Sequence, residues 1–228
     1  MNSARPPASP AVVLRVVLGF SLAPAAGIAQ TTLSGTAAAA LVVHQVDIGH
    51  GVEESRGLLL RAEAAVALSR LEVLIRAAGG SLSTSAAGAE NRDVGEVSLE
   101  ASVMPAPWLA LRASGTSRTY ATAIARQHWT LVEMGAEVRL DFTTSPVRGI
   151  LRGGLLPVVS VNGLPRPDVA LTAAAGIEYR SGSVTGGLLY GLERYDFPPS
   201  GATRRLEQLN TVTFRITMQR GGGRVGRL

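Results

Sequence analysis

From Val132 to Phe142 every second residue is apolar (Val132, Met134, Ala136, Val138, Leu140, Phe142), and the residues between them are Glu133, Gly135, Glu137, Arg139 and Asp141. Side chains on a strand point alternately to opposite faces, so a period of two makes one apolar face and one charged face; a helix would scatter both sets around its axis. The pattern recurs in Leu209–Gln219, where Val212, Phe214, Ile216 and Met218 oppose Thr211, Thr213, Arg215 and Thr217. It recurs in Val97–Val103 opposite Glu96 and Glu100, and in Leu109–Ala113 opposite Arg112 and Arg118. Leu60–Leu68 opposes Arg61 and Glu63, and Leu71–Ala77 opposes Glu72 and Arg76. Weaker alternation covers Thr32–Val46, Val147–Leu156 with Arg148 and Arg152 on one face, Val169–Arg180 with Glu178 and Arg180 on one face, and Val184–Phe197 with Glu193 opposite Leu188, Tyr190 and Leu192. Ser55–Ala78 is rich in good helix formers. Its charges nevertheless keep the period of two on both sides of Ser69-Arg70, which predicts a hairpin.

About ten strands result, with eight or twelve as alternatives, each near the ~9–11 residues that cross a bilayer when tilted. Short connectors (Ser69-Arg70, Pro105–Pro107, Thr143–Pro146, Ser181–Ser183) alternate with longer ones (Asp47–Ser55, Leu82–Arg92, Ala121–His128, Val161–Asp168, Pro198–Arg205). Short turns at one end, long loops at the other and an even strand number place both termini at the short-turn end. Pro157 cannot donate to a ladder, so the seventh strand is expected to end near Leu155 or to bend there.

Residues 1–29 have a polar start with Arg5, an apolar run from Val16 to Ala26, and small Gly27 and Ala29 ahead of Gln30. That is the layout of a cleaved secretory signal peptide, and the run is too short to span a membrane as a helix. The expected organisation is a signal peptide over 1–29, a β-barrel over 30–220 and a flexible Gly/Arg-rich tail over 221–228. On the leader, the alternation and the connector rhythm, residues 30–220 resemble a small bacterial outer-membrane β-barrel protein. The resemblance implies an all-β, antiparallel, up-and-down transmembrane barrel in the outer membrane. Its termini lie in the periplasm, lipid surrounds it, and barrel-insertion machinery assembles it. Trp108, Phe142 and Tyr179 fall near the periplasmic rim. The chain departs from the usual pattern in running on past Phe214 to Leu228 instead of ending its last strand on an aromatic residue. The alternative is a soluble secreted β-barrel with its apolar parity turned inward around an apolar ligand.

Composition removes several classes of function. Cysteine is absent, which excludes disulfides, thiolate metal sites and a cysteine nucleophile. All 22 basic residues other than histidine are Arg, against 17 acids, for a net charge of +5. Arg5 and Arg15 lie in the leader, and Arg220, Arg224 and Arg227 lie at the C-terminal end. The remainder is near balance, so no nucleic-acid partner is expected.

In a membrane barrel the charged parity faces the lumen. That face holds Arg61, Glu63, Glu72, Arg76, Glu96, Glu100, Arg112, Arg118, Glu133, Glu137, Arg139, Asp141, Arg148, Arg152, Glu178, Arg180, Glu193 and Arg215. Two matched signs in a narrow lumen predict salt bridges. The expected function is accordingly non-enzymatic: a structural barrel, or a narrow and weakly selective polar conduit. Candidate chemistry is thin. His44, Asp47 and His50 around the first long loop have metal-ligand types but no visible further ligand, and all three histidines are expected near the outer rim. His128 and Thr130 share a strand face without a third member, so an outer-membrane lipid-modifying or proteolytic enzyme is the least favoured reading. No catalytic residue, metal or cofactor is expected.

Overall fold

A computed structural model describes residues 31–84, 90–200 and 203–220; the expected signal peptide and tail lie outside the described residues. Ten strands make one closed antiparallel barrel: β1 (Thr31–Asp47), β2 (Val52–Leu68), β3 (Leu71–Thr84), β4 (Arg92–Ala106), β5 (Leu109–Ala121), β6 (Arg126–Asp141), β7 (Val147–Val161), β8 (Val169–Ser181), β9 (Val184–Ser200) and β10 (Thr203–Arg220). Each strand pairs with its neighbours in sequence, and β1 closes on β10 from Leu33↔Arg220 to Asp47↔Leu206. Closure gives every strand two neighbours, so no strand is an edge strand. Thr31 lies opposite Leu68 and Leu33 opposite Arg220, so the first and last strands begin and end at the rim that carries the Ser69-Arg70 turn. Ser55–Ala78 forms the β2–β3 hairpin, with Glu63 directly opposite Arg76.

The two faces exchange character along the barrel axis. On the outside, from the short-turn rim upward, β6 presents Leu140, Val138, Ala136, Met134 and Val132, and then Thr130 and His128. β2 presents Leu68 to Leu58 and then Arg56 and Glu54; β10 presents Met218, Ile216, Phe214 and Val212 and then Asn210, Gln208 and Arg204, with Leu206 the one apolar residue between the last two. An apolar belt thus gives way to a polar collar. Leu60, Met134, Leu155 and Met218 in the belt are each 60–66% exposed, and water-soluble monomers rarely keep a contiguous apolar surface of this kind. Trp108, Phe142 and Tyr179 stand exposed at the short-turn rim.

On the inside the order is reversed. Ionic side chains fill the lumen behind the belt. Behind the polar collar the inward parity turns apolar: Val42, Leu59, Leu82, Val94, Tyr120, Trp129, Leu131, Leu156, Val159, Val161, Tyr195, Phe197 and Leu209 form one buried cluster, with Ala170 of β8 packed against it. Every strand contributes to this plug except as β8 does, through that partly buried alanine. Trp129 is its centre, meeting Tyr195 at 5.0 Å and Phe197 and Tyr120 at 6.3 Å, all edge-on, contacts worth about 0.5–1.5 kcal/mol each beyond the area they bury.

One expectation changes here, and one with two forms is decided. The connectors at the far end are shorter than expected, since β2 already starts at Val52, β9 runs to Ser200 and β10 starts at Thr203. The backbone keeps its pairing beyond the belt because the apolar plug gives the inward side chains there something to pack on. The seventh strand does not stop at Leu155. It bends: the β6–β7 register shifts between Val132 and Met134, beside Pro157, and pairing resumes to Val161. Leu156 and Val159 both face inward although three residues apart, as an inserted bulge residue requires. The β7–β8 ladder does end at Leu155↔Leu171, and the Pro157 carbonyl instead accepts a 2.5 Å hydrogen bond from Arg166 Nη2.

The belt's upper limit on β6 lies between Val132 and Thr130. In lipid bilayers, Ala136→Arg should cost about 2–4 kcal/mol, the midplane value, and Thr130→Arg on the same face at most about 1 kcal/mol. Urea midpoints of the reconstituted variants measure both, and equal losses would contradict a belt of this height.

Candidate functional site

The lumen behind the belt is the only large assembly of polar side chains among the described residues, and strand pairing explains its order. Residues directly opposite on adjacent strands share a face, which brings Glu63 to Arg76, Glu96 to Arg118 and Glu137 to Arg152. Arg76 Nε donates to Glu63 Oε1 at 2.6 Å, and Arg118 Nε to Glu96 Oε2 at 2.6 Å. Arg112 grips Glu100 with two nitrogens, the Nε bond measuring 2.8 Å. Glu137, 2% exposed, accepts from Arg139 Nε at 2.6 Å and from Arg152 Nε at 2.5 Å. Arg148 donates to Asp141 through two nitrogens at 2.5 and 3.0 Å.

Longer reaches tie strands that are not neighbours. Arg118 also crosses the lumen from β5 to β9, donating to both carboxylate oxygens of Glu193 at 2.8 and 3.0 Å, while the Tyr195 hydroxyl donates to the same carboxylate at 2.7 Å. Arg215 of β10 reaches Glu178 of β8 across β9. It can do so because the intervening inward residue is Gly187: a Cβ there would stand 3.1 Å from Arg215 Cγ and 3.2 Å from its Nε. Glu133 and Thr172 bond at 3.1 Å over Gly154 in the same way.

All eighteen charged residues singled out from the sequence therefore lie on the inward parity. Asp141 and Arg180 are exposed at the short-turn mouth. Arg61, Glu72, Glu133 and Arg180 make no ion pair among the described residues, and Arg61 Nε is buried without a hydrogen-bond partner. Two cavities follow one another along the axis, about 160 and 140 Å³, and Arg76, Glu100, Arg112 and Arg152 line both. This ionic layer is the partition between them.

The histidines are dispersed. His44 lies inside the lumen, not at the outer rim: it is 4% exposed, stacks on Tyr120 at 5.2 Å, and its Nε2 donates to Glu207 at 3.2 Å. Glu207, 1% exposed, also accepts from Arg205 Nε at 2.7 Å. His50 is exposed in the β1–β2 turn, where the Asp47 carboxylate accepts from the Gly49 N–H instead. His128 and Thr130 are on the outer face, with His128 Nδ1 at 3.2 Å from Thr119 Oγ1. No group of three or more histidine and acidic residues converges on a point that could hold a metal ion among the described residues. The His44–Glu207–Arg205 chain went unread in the sequence; its signal was the single His on a parity otherwise made of Val42 and Val46.

No family model matches the chain, and no curated protein matches it. Among solved structures, the outer-membrane protease OmpT of Escherichia coli superposes with a TM-score of 0.54 at 8% identity, over 85% of this chain and 97% of that one. Neisserial surface protein A gives a TM-score of 0.38 at 10% identity, over 82% and 96%. The COG4313 outer membrane channel of Pseudomonas putida F1 gives 0.44 at 11%, over 88% and 100%. At 8% identity the likeness to OmpT is one of fold, that of an outer-membrane β-barrel.

Removing one partner of a buried ion pair costs about 3–5 kcal/mol. Glu137→Leu, which strands two arginines, should lose stability in that range, while outward Val138→Leu should change it by no more than about 0.5 kcal/mol. Gly187→Val should cost about 3 kcal/mol by driving Arg215 off Glu178, and Gly186→Ala, whose added carbon meets nothing within 4 Å, should be tolerated. Chemical unfolding in detergent measures all four; equal midpoints within either pair would contradict the inward assignment.

Proposed function

We propose that the protein is a non-enzymatic, closed β-barrel of the bacterial outer membrane with a structural role, its belt in lipid and its polar collar standing in water outside. The observation that carries this reading is the exchange of polarity along the axis. Behind the belt, paired charges fill the lumen where lipid surrounds the barrel; beyond it, an apolar plug crosses the lumen where water surrounds the barrel. A conduit would need polar side chains along its whole length or a dry constriction that opens, whereas fourteen buried apolar residues pack together here around the edge-on contacts of Trp129 with Tyr120, Tyr195 and Phe197. The soluble-barrel alternative is disfavoured by the exposed leucines and methionines of the belt. Short turns and both termini then face the periplasm, with Trp108, Phe142 and Tyr179 at that interface, where aromatic girdles sit. Outer-membrane lipid and the insertion machinery are the partners this placement implies.

The protein reconstituted in planar bilayers should give no conductance steps, and should migrate anomalously on a gel until heated. Discrete steps at neutral pH would overturn the closed reading. For orientation, the absence of native cysteine lets single thiols report alone. Ile124→Cys, at an 87% exposed position of the β5–β6 turn, should react with a membrane-impermeant label on intact cells, and Ser145→Cys in the β6–β7 turn should not; the reverse result would invert the topology.

A further inference from the structure

The larger cavity lies where the apolar plug meets the ionic layer, so its walls differ in kind. Leu59, Leu82, Val94 and Leu131 line it from the plug. Five arginines (Arg61, Arg76, Arg112, Arg118, Arg152) and four glutamates (Glu96, Glu100, Glu133, Glu193) line it from the layer. Four of the arginines are in ion pairs, with Glu63, Glu100, Glu96 together with Glu193, and Glu137. Arg61 is the fifth. It makes no ion pair among the described residues and its Nε is buried and unpartnered. Glu96, Glu63 and Glu193 act on its charge from nearby, but a buried donor left unpaired is costly, and a guanidinium presents a planar fork that a carboxylate fits with two parallel hydrogen bonds. The cavity volume of about 160 Å³ is that of a site able to hold a molecule of benzene's size, as a dry cavity of about 150 Å³ does. Leu156 and Thr172, which also line it, lie beside the point where the β7–β8 ladder ends.

We infer that this cavity binds a small amphipathic monocarboxylate, its carboxylate on Arg61 and its short alkyl or aryl tail against Leu59, Leu82 and Leu131. The site goes beyond the structural role and does not depend on whether the barrel conducts. Titration calorimetry on the barrel purified from membranes into detergent tests it, with sodium hexanoate, hexylammonium chloride and inorganic phosphate as probes. Hexanoate should bind at one site per chain, phosphate at least about tenfold more weakly for want of a tail, and hexylammonium not at all. Arg61→Gln should weaken hexanoate about tenfold, the loss of a charge-assisted hydrogen bond. Leu59→Phe, which fills the cavity and leaves every charge in place, should do the same, and serves if Arg61→Gln does not fold. Uptake of hexanoate that neither variant alters is partition into the micelle and would overturn the site. So would a failure of hexanoate to bind, binding of hexylammonium at the same site, or phosphate bound as tightly as hexanoate.

Discussion

Closing a sheet on itself leaves each side chain two places to go, and everything else in this protein follows from what fills them. The outward residues meet whatever surrounds the barrel; the inward ones meet each other in a lumen narrow enough that they must touch. Because the surroundings change along the axis, the two parities change together. Where the outside is leucine, valine and methionine, the inside is arginine and glutamate in direct ion pairs. Where the outside is Glu54, Arg56, Thr130 and Gln208, the inside is Trp129, Tyr195 and Phe197. One barrel wall thus carries a membrane-type half and a water-type half joined through the same ten strands.

The ionic layer is what lets the membrane half close. Buried charges cost more than they return unless their hydrogen-bonding groups are met, and here the matching is dense. Glu137 serves two arginines, Arg112 holds Glu100 with two nitrogens, and Arg118 ties β4 and β5 to β9. Bonds such as Arg118–Glu193 and Arg215–Glu178 brace the lumen across strands that share no ladder. Gly187 and Gly154 are inward positions where a side chain would fill the space those braces cross.

Much of this was legible in local pattern. The apolar face of β6 from Val132 to Leu140 and its partner face from Glu133 to Asp141 follow from a period of two, as do the β2–β3 hairpin and the strand number. What escaped was the upper half of the same parities. On β6 the inward series runs Gln127, Trp129, Leu131 and then Glu133, so the exchange of character is written in the strand, but only if the strand is taken to start before Val132. Tyr195 and Phe197 continue the parity of Glu193 in the same way. At Pro157 the bulge shifts the phase, so Leu156 and Val159 both turn inward and a strict alternation misplaces one of them. The braces that skip a strand leave almost no local trace, because they depend on barrel curvature; a glycine at an inward position between two charged strands, as at Gly187, is the one sign of them.

The exchange of polarity is tested most directly by nitroxide labels placed singly at the outward positions of β6, from His128 to Leu140, in reconstituted bilayers. Collision rates with oxygen and with a water-soluble nickel chelate distinguish lipid from water at each site. Positions 132, 134, 136, 138 and 140 should be accessible to oxygen and shielded from the chelate, and positions 128 and 130 should be the reverse, with the change falling between Val132 and Thr130. Uniform lipid exposure along the whole strand, or uniform water exposure, would contradict a barrel whose two faces trade places along its axis.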